Sequence, residues 1–187
     1  MVGDRSTEVI DVGDLARLAE VAAQDRDRFF AKRPEYRHRV VATVLCQRAA
    51  LHYVDVATGK RRQNGIKDFD VWTFFAAVPG ERFPADRRNT HVDLGASKFG
   101  HYPGESSRFR RYQGRRIDLL MRALPVEPTI DPAAALLDYL TEARTTTAQW
   151  LAEKAVVLLD PVARRGEIVW PVDAFTTRRR ATTGRRW

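Results

Sequence analysis

The N-terminal part of the chain begins with an amphipathic pattern. Across residues 11–31, apolar side chains recur every three or four positions and polar side chains fill the rest, which predicts a helix. Asp11 or Asp14 stands where the N-cap of this helix is expected, and Pro34 interrupts the pattern at its other end. The apolar positions that define the helix are Leu15, Leu18, Val21 and Ala22.

Two strongly apolar runs follow and predict the centre of a sheet. Residues 39–46 are rich in β-branched side chains and predict a strand, and residues 49–56 predict a short helix directly after it. A polar, basic loop over residues 59–65 leads to the second run, residues 66–78, which predicts another strand. The predicted order is therefore strand, turn, helix, loop and strand.

The middle of the chain is rich in turn-forming residues. Residues 79–107 contain many Pro and Gly, and so long a connection predicts short elements within it, such as a strand at residues 91–94. Residues 116–123 are again apolar and predict a third main strand, which Pro125 ends.

Helix-forming residues dominate the C-terminal part. Residues 132–145 and 148–159 predict two helices, with Asp131 as the N-cap of the first. Residues 166–172 predict a closing strand, and residues 176–187 predict a loosely held basic tail.

Length and composition are those of one folded unit. A chain of 187 residues with 44% hydrophobic residues can bury a substantial core. We therefore predict one α+β domain over residues 1–187, with the helices of residues 130–160 packed on the rest.

No apolar run is long enough to span a bilayer, and no secretory signal precedes the first predicted helix. The single cysteine, Cys46, excludes an intramolecular disulfide and a Cys-rich zinc site. We expect a cytoplasmic protein that makes no membrane contact.

The charge of the chain is strongly positive and unevenly placed. The formal net charge is +8, and arginines predominate among the 32 basic residues. Arginines interleaved with aromatic residues suit phosphates and stacked bases. A solvated arginine surface, or the codon usage of a GC-rich genome, explains the same composition. The two clusters comprise Arg108, Arg110, Arg111, Arg115 and Arg116 around Phe109 and Tyr112, and Arg178, Arg179, Arg180, Arg185 and Arg186 in the tail.

Three acidic residues lie inside the apolar runs. Asp68 and Asp70 stand two positions apart, so on a strand both would leave the same face, where a shared divalent cation would relieve their repulsion. Asp118 is the lone acid of the third main strand and also needs a partner. If the two strands are neighbours, the three carboxylates converge and can hold two Mg²⁺ ions. Asp93 is an alternative third acid, but it precedes a glycine and suits a turn better.

In this order of elements the chain resembles the DNA polymerase β-like nucleotidyltransferase superfamily, and most closely its AbiEii-type branch. The resemblance covers about residues 38–123 and implies a nucleotidyltransferase-like mixed sheet flanked by helices. The matching motifs are Leu45-Cys46-Gln47-Arg48-Ala49-Ala50-Leu51 and Lys67-Asp68-Phe69-Asp70.

The resemblance also implies an activity and the residues that carry it. The expected reaction is Mg²⁺-dependent transfer of a nucleotide from an NTP to RNA, protein or a small molecule, as in the toxin half of a toxin–antitoxin pair. By motif position, Asp68 and Asp70 are the first two metal ligands. Asp118 is the third, placed to activate the acceptor hydroxyl.

The phosphate-binding turn of that branch is changed in this chain. The branch has Gly-Gly-Ser/Thr, whose backbone N–H groups and hydroxyl bind the triphosphate, whereas this chain has Gln47-Arg48-Ala49. Arg48 is expected to contact phosphate by its charge, and Lys67 or Lys98 to supplement it. The alternatives are a catalytically degenerate protein of the same fold, which binds nucleic acid or a protein through its arginines, and a structural protein with incidental acids.

Overall fold

The computed structural model describes residues 8–60, 65–95 and 98–172. Within them a six-stranded mixed sheet is flanked by helices, as the α+β prediction requires. The predicted basic tail, residues 176–187, lies outside the described residues. The strands are β1 (Val40–Cys46), β2 (Phe69–Ala76), β3 (Arg87–Val92), β4 (Arg115–Leu124), β5 (Val156–Asp160) and β6 (Ile168–Trp170).

The sheet places the three predicted main strands side by side. Its spatial order is β3-β4-β2-β1-β5-β6, so β2 lies between β1 and β4. β2 and β4 run parallel, and every other neighbouring pair runs antiparallel. The strand with Asp70 and the strand with Asp118 are therefore hydrogen-bonded neighbours.

Helices cover both faces of this sheet. α1 and α2 pack on one face, and α3 and α4 on the other. No helix of the described ranges is long and apolar enough to cross a membrane. The helices are α1 (Val12–Phe30), α2 (Gln47–Ala57), α3 (Pro132–Glu142) and α4 (Thr146–Ala152).

The alternation of side chains along β2 decides which face the acids share. Phe69 and Val71 join the apolar cluster beneath α1 and α2, whereas Trp72 and Phe74 join the cluster beneath α3 and α4. Asp70 alternates with Phe69 and Val71 and so leaves the sheet on the α3/α4 side. We call Asp68, Asp70 and Asp118 the acid centre. Asp70 places it at the end of the α3/α4 layer, where the apolar packing stops.

Most predicted elements are confirmed with small changes at their ends. The first predicted helix is α1, which begins with Asp11 as its N-cap, and Asp14 and Asp11 complete a reciprocal capping box. The strand expected at residues 91–94 is instead β3, which begins earlier, at Arg87, and ends at Val92. Because β3 is a polar strand at the edge of the sheet, its hydrophobic pattern was too weak to mark its start.

The helix predicted at residues 148–159 is wrong in its second half. α4 ends at Ala152, and Val156–Asp160 form the strand β5, which pairs with β1. Val157, Leu158 and Leu159 are completely buried, because helices cover both sides of this inner strand. Such a strand is apolar throughout and lacks the alternation that separates a strand from a buried helix. The C-terminal part therefore supplies two strands as well as two helices.

Candidate functional site

Two of the three predicted acids face each other across neighbouring strands. Asp70 of β2 lies in register with Asp118 of β4, and Asp68 stands one residue before β2 begins. On its other side Asp70 pairs with Cys46, the last residue of β1. One parallel strand pairing thus brings Asp70 and Asp118 side by side. Among the described residues, the three carboxylates do not form a group whose ligand atoms all lie within 4.8 Å of one another.

Asp118 is buried, and its two carboxylate oxygens differ in their hydrogen bonding. Its side chain is 3% exposed, and its Oδ2 accepts hydrogen bonds from Arg87 Nη2 at 3.0 Å and from Arg116 Nη2 at 2.8 Å. Its Oδ1 is equally buried and has no hydrogen-bond partner among the described residues. An unpartnered carboxylate oxygen inside a protein is costly, so this atom is available to a ligand.

The pKa of the Asp70 carboxyl group is raised above its ordinary value. Burial, and then the neighbouring charges of Asp68 and Asp118, raise its pKa from 3.8 to about 6, while Arg87 and Arg116 act in the opposite direction. The carboxylates therefore repel one another despite the two guanidinium groups. A cation placed among them would lower this pKa again.

Two arginines contact the acids: Arg116, which joins two of them, and Arg87, for which the sequence predicted no role. Arg116 Nη2 is also 3.8 Å from Asp68 Oδ2, so this one guanidinium spans two of the three carboxylates. Arg87 reaches Asp118 from β3, the edge strand. An arginine at the start of a weakly patterned strand carries no sequence signal that it belongs to an acid centre.

The changed turn keeps an unusual backbone conformation. α2 begins at Gln47, whose φ of 62° is in the left-handed region that glycine adopts more readily. The Gln47 side chain is buried and donates from Nε2 to the Trp150 carbonyl at 2.6 Å. Its Oε1 accepts a hydrogen bond from Lys154 Nζ at 2.7 Å. The glutamine therefore fastens the start of α2 to the end of α4.

The three basic residues predicted to bind phosphate lie in different places. Arg48 is exposed in the first turn of α2. Lys67 directly precedes Asp68, and its ammonium group lies 5.8 Å from the centre of the Tyr102 ring. Lys98 is not brought to the acids by any contact of the described residues. Its ammonium group instead bonds Asp11 at 2.9 Å and Asp14 at 2.7 Å, at the start of α1.

Two cavities lined by arginines contain residues that bond the acids. A cavity of about 180 Å³ is bordered by Lys67, Asp68, Arg108 and Arg116. A larger cavity of about 480 Å³ includes Arg82, Arg87 and Arg122 together with Trp72 and Leu120 in its lining. The two arginines that bond Asp118 thus border different cavities.

The central arginine cluster divides into groups with different surroundings. Arg108 and Arg116 line the smaller cavity, whereas Arg110 and Arg111 are exposed. Arg115 is 2% exposed, and burial lowers its pKa. The five arginines are clustered in the sequence, but β4 begins at Arg115 and turns alternate residues to opposite faces.

The alternative third acid is outside this centre. Asp93 is exposed just after β3, and its Oδ1 accepts a hydrogen bond from the Gly95 backbone N–H at 3.0 Å. That is the geometry of the turn expected for an acid two residues before glycine.

Comparison with known proteins does not add a relationship to this geometry. Neither protein-family models nor curated proteins nor solved structures gave a match to the chain.

Proposed function

We propose that this protein is a divalent-metal-dependent nucleotidyltransferase that uses Asp68, Asp70 and Asp118. The observation that carries the proposal is the in-register pairing of Asp70 with Asp118, whose buried Oδ1 has no partner within the described part of the chain. The order of strand, turn, helix and two acid-bearing strands is the one the resemblance implies.

Asp70 and Asp118, side by side on neighbouring strands, offer the kind of ligand that a hard divalent cation takes. Carboxylate oxygens are the ligands that Mg²⁺ prefers, and it takes few of them when substrate phosphates complete its coordination. Asp70 and Asp118 would hold the cation together with Asp68, and Asp118 Oδ1 offers an oxygen that no hydrogen bond from the described residues occupies. A cation bound here would neutralise phosphate charge and lower the pKa of an acceptor hydroxyl.

The arginines of the centre have a second role in this proposal. Three carboxylates against Arg87 and Arg116 leave the centre with excess negative charge. A cation at Asp118 Oδ1 would withdraw negative charge from this carboxylate, weaken its bonds to both guanidinium groups and make their N–H donors available to phosphate oxygens. Because Arg87 borders the larger cavity and Arg116 the smaller one, an anionic donor and an anionic acceptor each find an arginine.

Transfer of label from an α-³²P-labelled NTP tests this function. Purified protein is supplied with Mg²⁺ or Mn²⁺ and with total RNA, total protein or small hydroxyl compounds as acceptors. We expect incorporation that disappears with a chelator and falls at least about 10²-fold in Asp70→Asn and in Asp118→Asn. Asp93→Asn is the matched control, because Asp93 is exposed in a turn. Undiminished transfer by both acid variants would refute the mechanism.

A second candidate is a binding protein of the same fold without catalysis. The buried Gln47 side chain favours it, since this residue takes the place of the first glycine of a phosphate-binding turn and is tied to Trp150 and Lys154. The basic cavities would then hold nucleic acid without metal. RNA affinity that falls with salt and is indifferent to a chelator would support this candidate, and tight binding of NTP with Mg²⁺ would exclude it.

A further inference from the structure

We propose a second metal site, for a transition metal such as Zn²⁺, formed by His91, His101 and Glu105. It is separate from the acid centre in its ligands and in the metal it selects. One ligand atom from each of these residues lies within 4.8 Å of the other two. The proposal does not depend on the nucleotidyltransferase activity.

The three side chains are held in place from two directions. His91 belongs to β3, and its ring stacks on Tyr112 with 4.9 Å between the ring centres and 6° between the ring planes. His101 and Glu105 belong to the connection between β3 and β4. The His91 and Glu105 side chains are only 4% and 8% exposed, so two of the three groups are largely removed from solvent.

The hydrogen bonds of His101 leave one ring nitrogen for a cation. His101 Nε2 is bonded to the Tyr112 carbonyl, which can only accept, so this nitrogen carries the hydrogen. His101 Nδ1 faces Glu105 Oε2 at 2.6 Å, and His91 Nε2 faces Glu105 Oε1 at 3.1 Å. A neutral His101 would set the Nδ1 lone pair against a carboxylate oxygen. A proton or a metal ion must therefore lie between them.

The arrangement around His101 is one that metal sites use. A metal-bound histidine commonly donates its other ring N–H to a backbone carbonyl, which orients the ring and fixes the tautomer. The Tyr112 carbonyl fills this place for His101. Two imidazoles with one carboxylate and an open position are the ligand set of catalytic zinc sites.

The geometry also separates this site from one for Mg²⁺. Ligands at the zinc distances of 2.0–2.2 Å in a tetrahedral arrangement are about 3.3 Å apart, so small side-chain movements would accommodate the ion. Imidazole nitrogens favour zinc and its neighbours over Mg²⁺. Arg115 and Arg116 interact with Glu105 and oppose a dication, so we expect micromolar rather than nanomolar affinity.

Binding of a metal would first restrict the movement of the connection between β3 and β4. A metal at this site would fasten the connection between β3 and β4 to β3 itself. Glu105, Tyr102 and Arg108 of that connection also border the smaller cavity beside Asp68. Loading the site would therefore fix the wall of that cavity.

Zinc titration of the untagged protein tests the site. Zn²⁺ is added in competition with a chromophoric chelator, and Co²⁺ is added separately to record its d–d absorption bands. We expect one Zn²⁺ per chain, and an affinity at least about 10–100-fold weaker in His101→Ala and in Glu105→Gln. His38→Ala is the matched control, since His38 is exposed in a loop. Circular dichroism establishes whether each variant is folded. If His101→Ala does not fold, the isosteric Glu105→Gln still tests the site.

Three results would overturn the proposal. Absence of Zn²⁺ binding would assign the shared cation to a proton, in an imidazolium–carboxylate cluster. Binding that survives in both His101→Ala and Glu105→Gln would place the metal elsewhere. Loss of Zn²⁺ in Asp70→Asn, with His101→Ala unaffected, would place it at the acid centre. Retained Zn²⁺ binding in Asp70→Asn supports two separate sites.

Discussion

Among single residues, Asp70 has the clearest conflict between charge and position. It is held between Cys46 and Asp118 in the sheet, close to two other carboxylates, and its pKa rises to about 6. A raised pKa means that the folded state binds a proton more tightly than the unfolded chain. The charged form of Asp70 therefore destabilises the fold.

The stability of the protein should report this cost. Asp70 contributes no penalty below pH 3.8, where it is protonated in both states, and the penalty grows until pH 6, where the folded state loses the proton. At pH 7 we expect Asp70→Asn to be about 1–3 kcal/mol more stable than the wild type in urea unfolding. Below pH 4 this difference should vanish. A variant that is no more stable than the wild type at pH 7 would contradict the prediction, and Asp93→Asn is the control.

Metal binding should depend on the same proton. A divalent cation needs the Asp70 carboxylate ionised, so Mn²⁺ affinity should rise through pH 6 and be about tenfold higher at pH 7 than at pH 5. Calorimetry in two buffers of different ionisation enthalpy measures the proton released. Asp70→Asn should bind Mn²⁺ weakly and release no proton. Equal affinity of the wild type at both pH values would contradict this linkage.

At the level of elements, the strand pairings create the site. β2 and β4 are parallel neighbours, which brings two acids 48 positions apart in the sequence into register. β5 pairs with β1 on the side away from β2 and contributes buried side chains to the apolar cluster beneath α3 and α4. β5 therefore stabilises β1, the strand whose last residue pairs with Asp70.

Substitution within β5 tests this arrangement. Leu158 is completely buried between β1 and β6, so Leu158→Ala should cost about 2–5 kcal/mol of unfolding free energy. Val162 follows the strand and is 68% exposed, so Val162→Ala should change stability by less than about 0.5 kcal/mol. Urea unfolding of both variants measures the contrast. Similar losses in the two would mean that Leu158 is not part of an inner strand.

At the level of the whole molecule, positive charge surrounds a negative centre. The chain carries a formal net charge of +8, while the two arginines that bond Asp118 each border a cavity. Such a field attracts polyanions.

Binding of single-stranded RNA should show this field and its location. We expect affinity to fall with salt, and Arg108→Ala to weaken binding and reduce the slope of log affinity against log salt by about 0.7. Arg17, which pairs with Glu20 on α1, is the control and should leave the slope unchanged when replaced by alanine. Fluorescence anisotropy at several salt concentrations measures both. Equal effects of the two substitutions would refute a localised binding surface.

The sequence by itself determined most of the local elements and marked three acids as candidate metal ligands. Periodicity and caps depend on neighbouring residues, so α1 with its Asp11 cap and the strands β1, β2 and β4 could be predicted. The strand–turn–helix order also pointed to Asp68, Asp70 and Asp118 as one group.

Only the tertiary structure decided which distant groups meet. Burial on both faces makes β5 uniformly apolar, so its pattern does not distinguish it from a helix. The roles of Arg87 and Lys98, and the meeting of His91 with Glu105, depend on which strand and loop lie side by side. Contacts between residues far apart in the chain have no local signature, because they arise from the packing of whole elements.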